Sequence, residues 1–409
     1  MNIEVIAIGN EVVSGVTVNT NAAHISSELM RAGFRVNRHS ALPDNKKILE
    51  SGLKEALERN QLVIATGGLG PTCDDVTRQV AASLFHSGFH YDESIANELK
   101  QRYGSFIDAT LKDQATVPDK ALILRNKIGS APGFVFKNEQ VRLILLPGVP
   151  VEMRAMLEEA ALPYIKQEFQ NVSRHYSKVI NLVGLPESAV DPLLRRIEIE
   201  YPHIECGIYP SLGYISVHFS TLASEEKEAQ NLLDIPYKII LDKFKDNSFE
   251  SPSGRLSHAI HERFIQNKWT LSVAESCSGG SLAAALTQIP GASQYFLGGL
   301  VVYSDKLKEH FLHVPKQLLL DIGAVSEEVV TAMIEGLLNE TKSDFGIAIT
   351  GIAGPTGGTE KKPVGTVWAA IGRKGLPPFV WQFHARGNRE MILGRIVNIV
   401  LGQLWRLTN

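Results

Sequence analysis

The chain has 409 residues, which is too long for one ordinary hydrophobic core, so two or three domains are expected. Hydrophobic residues make up 44% and charged residues 21% of the sequence, a composition that excludes an intrinsically disordered chain. The formal net charge of -3 gives no electrostatic sign of binding to nucleic acid or to an anionic membrane. We therefore expect neither a direct nucleic-acid partner nor a membrane partner.

The cysteines and the first residues indicate the compartment. Cys73, Cys206 and Cys277 are widely spaced and form no CxxC pair, which favours a reducing environment. The chain starts directly with the apolar run Ile3–Ile8 and lacks the features of a signal peptide. No apolar run reaches the roughly 18 residues that span a bilayer. A cytoplasmic protein is expected.

Residues 1–170 alternate short apolar runs with amphipathic helical patterns. The predicted elements are strands at Ile3–Gly9, Leu62–Gly67 and Arg142–Leu146, and helices at Asn21–Ala32 and from about Asp74. This alternation predicts an α/β domain whose parallel sheet is covered on both faces, with ligands at the carboxyl ends of the strands.

Residues 171–245 follow a different order, which predicts a small α+β module. The predicted elements are a strand at Val179–Val183, a helix at Glu187–Ile197, a hairpin of Ile204–Tyr209 and Tyr214–Phe219, and a helix at Ser224–Lys243. The order resembles a KH-type fold, but the module has no GXXG loop and no basic stripe. Spacing or dimer contact is its expected role, and a homodimer is expected. The polar segment Lys243–Gly254 is the predicted linker.

Residues 253–409 form a second predicted α/β domain. Its predicted elements are helices at Leu256–Gln266 and Arg389–Leu407 and strands at Thr270–Ala274, Phe345–Thr350 and Val364–Ile371. The run A-E-S-C-S-G-G at Ala274–Gly280 would place Ser276 at a strand-to-helix turn. Such a turn exposes a hydroxyl nucleophile, and backbone N–H groups of Ser278, Gly279 and Gly280 could stabilise an oxyanion. The alternative is an ordinary Ser/Gly helix cap. Cys277 is the rival nucleophile.

Two further segments carry chemistry. Val301–Lys308 reads V-V-Y-S-D-K-L-K and begins a helix, and the glycine-rich loop Thr350–Gly358 follows a strand, where phosphate is commonly bound. Together with G-A-V-S-E-E at Gly323–Glu328 and K-P-V-G-T-V at Lys362–Val367, these segments resemble the C-terminal domain of the CinA family, the nicotinamide-mononucleotide amidohydrolases. The resemblance implies nicotinamide mononucleotide as substrate, no cofactor for this domain, and the catalytic residues Ser276, Lys308 and Tyr303.

That assignment is physically coherent. The sequence has no obvious Ser/His/Asp triad, and a lysine desolvated in a closed pocket can accept the proton of a serine. Thr350, Gly351, Gly354 and Arg389 are the candidates for holding the substrate, with Arg389 and the loop on its phosphate. One position departs from the family, which usually has G-D-R where this chain has Gly387-Asn388-Arg389.

The N-terminal domain has its own cluster of loops after predicted strands. Gly68, Gly70 and Thr72 are candidates for binding substrate phosphate, and Glu11, Asp74 and Asp75 for binding Mg²⁺. Alternatively, Asp74 and Asp75 simply stabilise the start of a helix. The runs G-G-L-G-P-T-x-D-D-x-T-R and P-G-V-P-x-E-M resemble the CinA N-terminal domain, which is similar to the MogA/MoaB molybdopterin-binding fold. The resemblance implies an ADP-ribose pyrophosphatase that needs a divalent metal, although Asn19 replaces the aspartate of the family's D-T-N.

Two alternatives to the amidase remain open at this point. The N-terminal diphosphate hydrolase could be the sole active site, or both sites could be idle in a competence-associated binding protein.

Overall fold

The computed structural model describes residues 1–72, 75–251 and 253–408, which fall into two compact units. The first unit is Met1–Tyr176 with Leu222–Gln230, and the second is Ser177–Thr221 with Asn231–Asn409. Within the described residues, no helix has the length and apolar character needed to cross a membrane.

The first unit contains an α/β sheet with helices on both faces. Its strands are β1 (Ile3–Ile8), β2 (Arg38–Leu42), β3 (Leu62–Thr66), β4 (Phe89–Tyr91), β5 (Thr116–Pro118), β6 (Leu122–Leu124), β7 (Gly133–Lys137) and β8 (Arg142–Leu146). Its helices are α1 (Asn10–Val13), α2 (Thr20–Arg31), α3 (Lys46–Arg59), α4 (Thr77–Leu84), α5 (Glu93–Tyr103), α6 (Leu111–Ala115), α7 (Pro150–Met156) and α8 (Leu162–Glu168).

The main sheet has the order β2-β1-β3-β8-β7-β6. The first four strands in this order are parallel, as predicted. At the other edge, β7 pairs antiparallel with both β8 and β6. Every residue of β1 and β3 is buried, as expected for central strands covered on both faces. The carboxyl ends of β1, β3 and β8 lie at one edge of the sheet.

Helix α4 begins at Thr77, three residues after the predicted start at Asp74. Before it, the Asp75 N–H donates to the Thr72 carbonyl at 3.1 Å, and the Thr77 N–H donates to the Gly68 carbonyl at 3.2 Å. These bonds tie Asp75 and Thr77 to the loop that precedes the helix. Asp74 lies outside the described residues.

Glu4 is a fully buried carboxylate in β1. It accepts two hydrogen bonds from the Arg59 guanidinium at 2.8 and 2.9 Å, one from Asn60 at 2.8 Å and one from Ser40 at 2.5 Å. Burial raises the pKa of the Glu4 carboxyl, but these hydrogen bonds and the charge of Arg59 outweigh burial and hold the pKa below its ordinary value of 4.5. This cluster ties β1 to β2 and to the end of α3.

We expect Glu4→Ala to lower the free energy of unfolding of the N-terminal domain by about 2–3 kcal/mol, since it leaves Arg59 without its buried partner. This cost is low for the loss of one partner of a buried ion pair, because the Arg59 side chain is 37% exposed and water can solvate it. The lowered pKa means that this stabilisation is complete above pH 4.5 and is lost as the pH falls through the folded-state pKa.

Hydrogen exchange in peptides of β1 and α3 is the suitable measurement for Glu4→Ala. The chain's 4 tryptophans begin at Trp269, so their fluorescence would not report on this domain. Glu55→Ala is the matched control, because Glu55 pairs with the same arginine at 3.8 Å but is 67% exposed, and a cost under about 0.5 kcal/mol is expected. Equal costs for the two variants would contradict the assigned role of Glu4.

The strands and helices predicted for residues 171–245 occur in the predicted order, and they are divided between the two units. Its elements are β9 (Arg174–Val183), α9 (Glu187–Glu200), β10 (Glu205–Pro210), β11 (Tyr214–Ala223), α10 (Glu226–Lys243) and β12 (Ser248–Phe249). The sheet order is β10-β11-β9-β12.

The prediction that Lys243–Gly254 is a free linker is wrong at β12. Ser248 and Phe249 pair with Leu182 and Asn181 of β9, and the Phe249 side chain is 2% exposed. The Trp405 indole donates to the Ser248 carbonyl at 2.7 Å, and its ring contacts that of Phe249. The segment is therefore a packed strand of the second unit.

The rest of the second unit is an α/β layer structure. Its strands are β13 (Leu271–Glu275), β14 (Phe296–Val301), β15 (Phe345–Gly351), β16 (Thr366–Arg373) and β17 (Phe379–His384). Its helices are α11 (Leu256–Asn267), α12 (Ser281–Thr287), α13 (Asp305–Leu312), α14 (Lys316–Ile322), α15 (Glu327–Thr341) and α16 (Arg389–Leu407).

The sheet order is β14-β13-β15-β16-β17, with the first three strands parallel and β16 antiparallel to both its neighbours. Helices α11, α12 and α16 pack on one face, and α13, α14 and α15 on the other. The carboxyl ends of β13, β14, β15 and β17 and the start of β16 consequently share one edge, which we call the site edge.

Candidate functional site

The site edge collects the segments that the sequence singled out in the C-terminal domain. Ser276 follows β13, Tyr303 and Lys308 follow β14, the glycine-rich loop follows β15, and Arg389 begins α16 after β17. Register fixes the alignment, because Glu275 pairs with Val301 on one side and Ile349 on the other. The topology therefore brings together residues that are up to about 110 positions apart in sequence.

Ser276 lies in a tight turn between β13 and α12. Its N–H donates to the Ile349 carbonyl at 3.0 Å, and its own carbonyl accepts from the Gly279 N–H at 3.1 Å. Gly279 and Gly280 have φ values of 61° and 95°, a left-handed conformation that glycine adopts without strain. The Ser276 side chain is mostly buried, with 7% of the residue exposed.

The structure corrects one detail of the predicted oxyanion stabilisation. The N–H groups of Gly279 and Gly280 are already donated, to the Ser276 carbonyl and to the Glu275 carboxylate respectively. They are not available as oxyanion donors. The Ser278 hydroxyl, in contrast, is buried and has no hydrogen-bond partner among the described residues.

Cys277 is an unsuitable nucleophile. The residue is 5% exposed, and burial raises the pKa of its thiol to about 12, so the reactive thiolate is scarce near neutral pH. A Cβ on Gly351 would lie 3.1 Å from the Cys277 sulfur, so this side chain packs against β15. The charges of Lys308 and Arg389 act to lower the pKa of the thiol, but burial outweighs them.

Lys308 is buried at the start of α13, with 1% exposure, although lysine is rarely buried. Its side-chain nitrogen lies 3.4 Å from the Tyr303 carbonyl oxygen and 3.4 Å from a carboxylate oxygen of Asp305, which is 59% exposed. The sequence predicts the burial of this lysine by resemblance and misses its acidic partner. The spacing of three residues on one helix was the available signal.

Tyr303 and Arg389 meet at the site edge. The Arg389 guanidinium donates to the Tyr303 hydroxyl at 3.3 Å and to the Gly354 carbonyl at 2.6 Å. Tyr303 is 58% exposed, and its hydroxyl contacts Arg389, whereas Lys308 contacts the Tyr303 backbone. Arg389 thus links the helix start at Tyr303 to the glycine-rich loop.

Two predicted substrate-binding residues have structural roles. The Thr350 hydroxyl is buried and donates to the Ala324 carbonyl at 2.8 Å, which anchors the G-A-V-S-E-E segment. Gly351 is needed for packing, because a Cβ there would lie 2.7 Å from the Thr366 carbonyl oxygen. Gly354, with a φ of 73°, remains in position to place its carbonyl on Arg389.

The departure from the family at Asn388 is explained by local structure. The Asn388 side chain caps α16 by accepting from the Met391 N–H at 2.9 Å. Asparagine and aspartate cap helices about equally well. The same holds for Asn19, which caps α2 by accepting from the Ala22 N–H at 3.0 Å.

In the N-terminal domain, a small pocket of about 100 Å³ lies at the carboxyl ends of β1 and β3, and Glu11 and Asn21 are among its lining residues. The Asn21 amide donates to Thr66 at 3.2 Å and to the Gly148 carbonyl at 2.8 Å. The Asn21 carbonyl oxygen is buried and finds no partner within the described part of the chain. The pocket therefore presents one carboxylate and one unsatisfied amide oxygen.

Four other candidates of this domain, Gly68, Gly70, Thr72 and Asp75, bond or pack within their own loop. The Asp75 carboxylate accepts from the Thr72 N–H at 2.9 Å, and a Cβ on Gly70 would lie 2.6 Å from the same carboxylate. A Cβ on Gly68 would lie 2.1 Å from the Thr77 hydroxyl, so Gly68 makes room for α4. Across residues 1–72, 75–251 and 253–408, no three His, Cys, Asp or Glu side chains are arranged to hold a metal. Of the three predicted metal ligands, only Glu11 and Asp75 lie within the described residues, and they do not complete a metal site by themselves.

Glu275 is a second residue of the site that sequence reasoning missed, after Asp305. It is fully buried, and its carboxylate accepts from three backbone N–H groups at the start of α12. An acidic residue directly before a serine at a strand end, followed by two glycines, was the signal.

Comparison with known proteins agrees with both predicted resemblances. The CinA C-terminal domain family matches residues 254–408, and the probable molybdopterin binding domain family matches residues 4–167. A CinA-like protein of Endomicrobium trichonymphae is 36% identical over 428 residues, which cover 99% of this chain and 98% of the relative. A putative competence-damage inducible protein of Clostridium tetani is 35% identical over 407 residues, 99% of either chain.

Among solved structures, a competence-damaged protein (CinA) superfamily protein from Escherichia coli has 38% identity and a TM-score of 0.36, covering 37% of this chain and 88% of its own. The family assignment does not depend on that structure, because the full-length relatives align over nearly the whole chain. With both domain families matched in the predicted order, the chain belongs to the CinA family.

Proposed function

We propose that the C-terminal domain is an amidohydrolase that converts nicotinamide mononucleotide to nicotinic acid mononucleotide and ammonia, with Ser276 as nucleophile. The observation that carries the proposal is the burial of Lys308 at the same sheet edge as the Ser276 turn. A serine nucleophile needs a base to take its proton, and a buried lysine at the same sheet edge can serve as that base where no histidine is present.

The reaction begins when the Ser276 hydroxyl attacks the carboxamide carbon and its proton passes to the Lys308 amine. Attack places a negative charge on the carboxamide oxygen, and we assign its stabilisation to the Ser278 hydroxyl, whose oxygen is buried and without a protein partner among the described residues. The proton then moves from Lys308 to the departing nitrogen, and ammonia leaves. Water hydrolyses the resulting ester, which releases the carboxylate product and restores Ser276.

The substrate phosphate is assigned to Arg389. Its guanidinium is oriented by the Gly354 carbonyl and the Tyr303 hydroxyl, and a guanidinium suits the planar arrangement of phosphate oxygens. In this proposal Tyr303 orients Arg389 and borders the site, since its hydroxyl bonds Arg389 and its exposure of 58% leaves it accessible to substrate.

A second activity is proposed for the N-terminal domain, the metal-dependent hydrolysis of ADP-ribose. The pocket with Glu11 and the unsatisfied Asn21 oxygen favours it, since both oxygens suit a hard cation. Because the described residues do not complete a metal site, we derive no step through the metal.

Chelation separates the two activities. We expect EDTA to leave ammonia release from nicotinamide mononucleotide unchanged, since every group assigned to that reaction is a side chain, and to abolish cleavage of ADP-ribose. Ammonia is measured by a coupled assay, with nicotinamide riboside as the control substrate, which should react more slowly because it lacks the phosphate assigned to Arg389. Absence of ammonia from nicotinamide mononucleotide, or loss of its release with EDTA, would refute the amidase proposal.

A further inference from the structure

Glu275 is a buried carboxylate that the proposed reaction does not use. It ends β13, which has β14 on one side and β15 on the other, and its exposure is 0%. One carboxylate oxygen accepts from the N–H groups of Gly280 and Leu282 at 3.1 and 3.0 Å, and the other from that of Ala283 at 2.8 Å. All three of these hydrogen bonds come from backbone N–H groups.

These hydrogen bonds explain how the charge is tolerated. Burying an isolated carboxylate costs free energy because the charge loses its hydration. A helix start offsets that cost with N–H groups that have no intrahelical partner and with the positive end of the helix dipole. Glu275 therefore occupies the start of α12 as an internal ligand. An anionic substrate cannot use that helix start while Glu275 fills it.

The same bonds close a loop around the nucleophile. The carboxylate of Glu275 bonds to Gly280 and beyond, so residues 276–279 lie between its two attachment points. The main chain of Glu275 is itself fixed, because its carbonyl accepts from the Val302 N–H at 2.8 Å. Ser276 is therefore held on one side by the sheet and on the other by the helix.

We propose that Glu275 is the positioning residue of the nucleophile, holding the Ser276 turn rigid by binding the start of α12. The inference rests on the proposed amidase function. Rigid placement matters because displacement of a reacting group by about 1 Å can cost 10²-fold in rate. The Glu275 charge also acts on the neighbouring residue of the turn. Burial has the largest effect in raising the pKa of the Cys277 thiol, and the Glu275 charge raises it further.

The test combines kinetics with hydrogen exchange on the full chain. Glu275→Gln keeps the shape of the side chain, but its NH₂ group faces an N–H donor, so at least one bond is lost. We expect kcat for ammonia release to fall about 100-fold with KM within about threefold. The amides of Gly280, Leu282 and Ala283 should exchange faster. A purely structural residue would not lower kcat selectively.

Asp344→Asn is the matched control. The Asp344 carboxylate accepts from the N–H and hydroxyl of Thr270 at 2.8 and 2.7 Å, which is the same kind of bond at the opposite edge of the same sheet. In Asp344→Asn, the amides near Thr270 and Asp344 should exchange faster, while kcat stays within about twofold of wild type. Should Glu275→Gln not fold, Glu275→Asp retains the charge but is too short to reach all three donors, and the same pattern is expected.

The outcomes separate the two proposals. If wild type releases no ammonia, the amidase proposal fails. Exchange at the α12 amides then still tests whether the Glu275 carboxylate holds the start of α12. Unchanged exchange in the folded Glu275 variant would contradict the proposal that Glu275 holds the start of α12. Faster exchange with a wild-type kcat would contradict the proposal that Glu275 positions Ser276.

Discussion

Ser276→Ala is expected to reduce ammonia release from nicotinamide mononucleotide by about 10⁴-fold or more, because removal of a covalent nucleophile leaves the residual rate due to binding and oxyanion stabilisation alone. Binding of the substrate should persist, since Arg389 and the glycine-rich loop are untouched. Steady-state ammonia release and equilibrium binding of nicotinamide mononucleotide together make the measurement.

Cys277→Ala is the control for this first prediction. It removes the adjacent rival nucleophile, which is buried and has a thiol pKa raised by burial to about 12. We expect its kcat to stay within about threefold of wild type, because the thiolate is too scarce to react near neutral pH. If Cys277→Ala were inactive while Ser276→Ala retained activity, the nucleophile would be the cysteine.

Lys308→Met is expected to lower kcat by about 10²–10⁴-fold, the range for loss of a general acid and base. KM should change little, because the phosphate is assigned to Arg389. Methionine approximates the length of the lysine stem in a site where the residue is 1% exposed, and Asp305 remains solvated, so thermal stability should be equal or higher. Unfolding monitored by tryptophan fluorescence reports on this domain.

Lys306→Met gives the matched comparison, since Lys306 is an exposed lysine on the same helix turn. It should leave kcat and KM near their wild-type values. A loss of activity shared by the two variants would indicate a general effect of charge at α13 and would contradict a specific proton-transfer role for Lys308.

The sequence predicts most of the fold because hydrophobic periodicity is local. The bounds of β8 and α16 coincide with the predicted ones, because β8 is a run of four apolar residues after Arg142 and α16 is a long amphipathic helix. The order of strands and helices also explains why Ser276, Tyr303 and Lys308 share one sheet edge. Each of them follows the carboxyl end of one of two neighbouring parallel strands.

The remaining features depend on tertiary contacts. β12 has two residues, too few for any period, and it is a strand because β9 offers it an edge. The burial of Glu275 follows from its place between two neighbouring strands, which a linear sequence does not reveal. The loss of Gly280 as an oxyanion donor is a consequence of that burial, so the sequence could not predict it either.

The hydrogen bonds by which asparagine side chains cap α2 and α16 do not depend on pH in the acid range. A carboxamide carries no titrating proton between about pH 2 and 10, so Asn19 and Asn388 retain the bonds to their helices where an aspartate would become a neutral acid. Helix α5 is different, because its cap is Asp92, whose pKa is lowered by hydrogen bonds from Ser94 and Ile95 but still titrates. On acidification, the cap of α16 beside Arg389 therefore keeps its hydrogen bond, whereas the cap of α5 weakens as Asp92 takes up a proton.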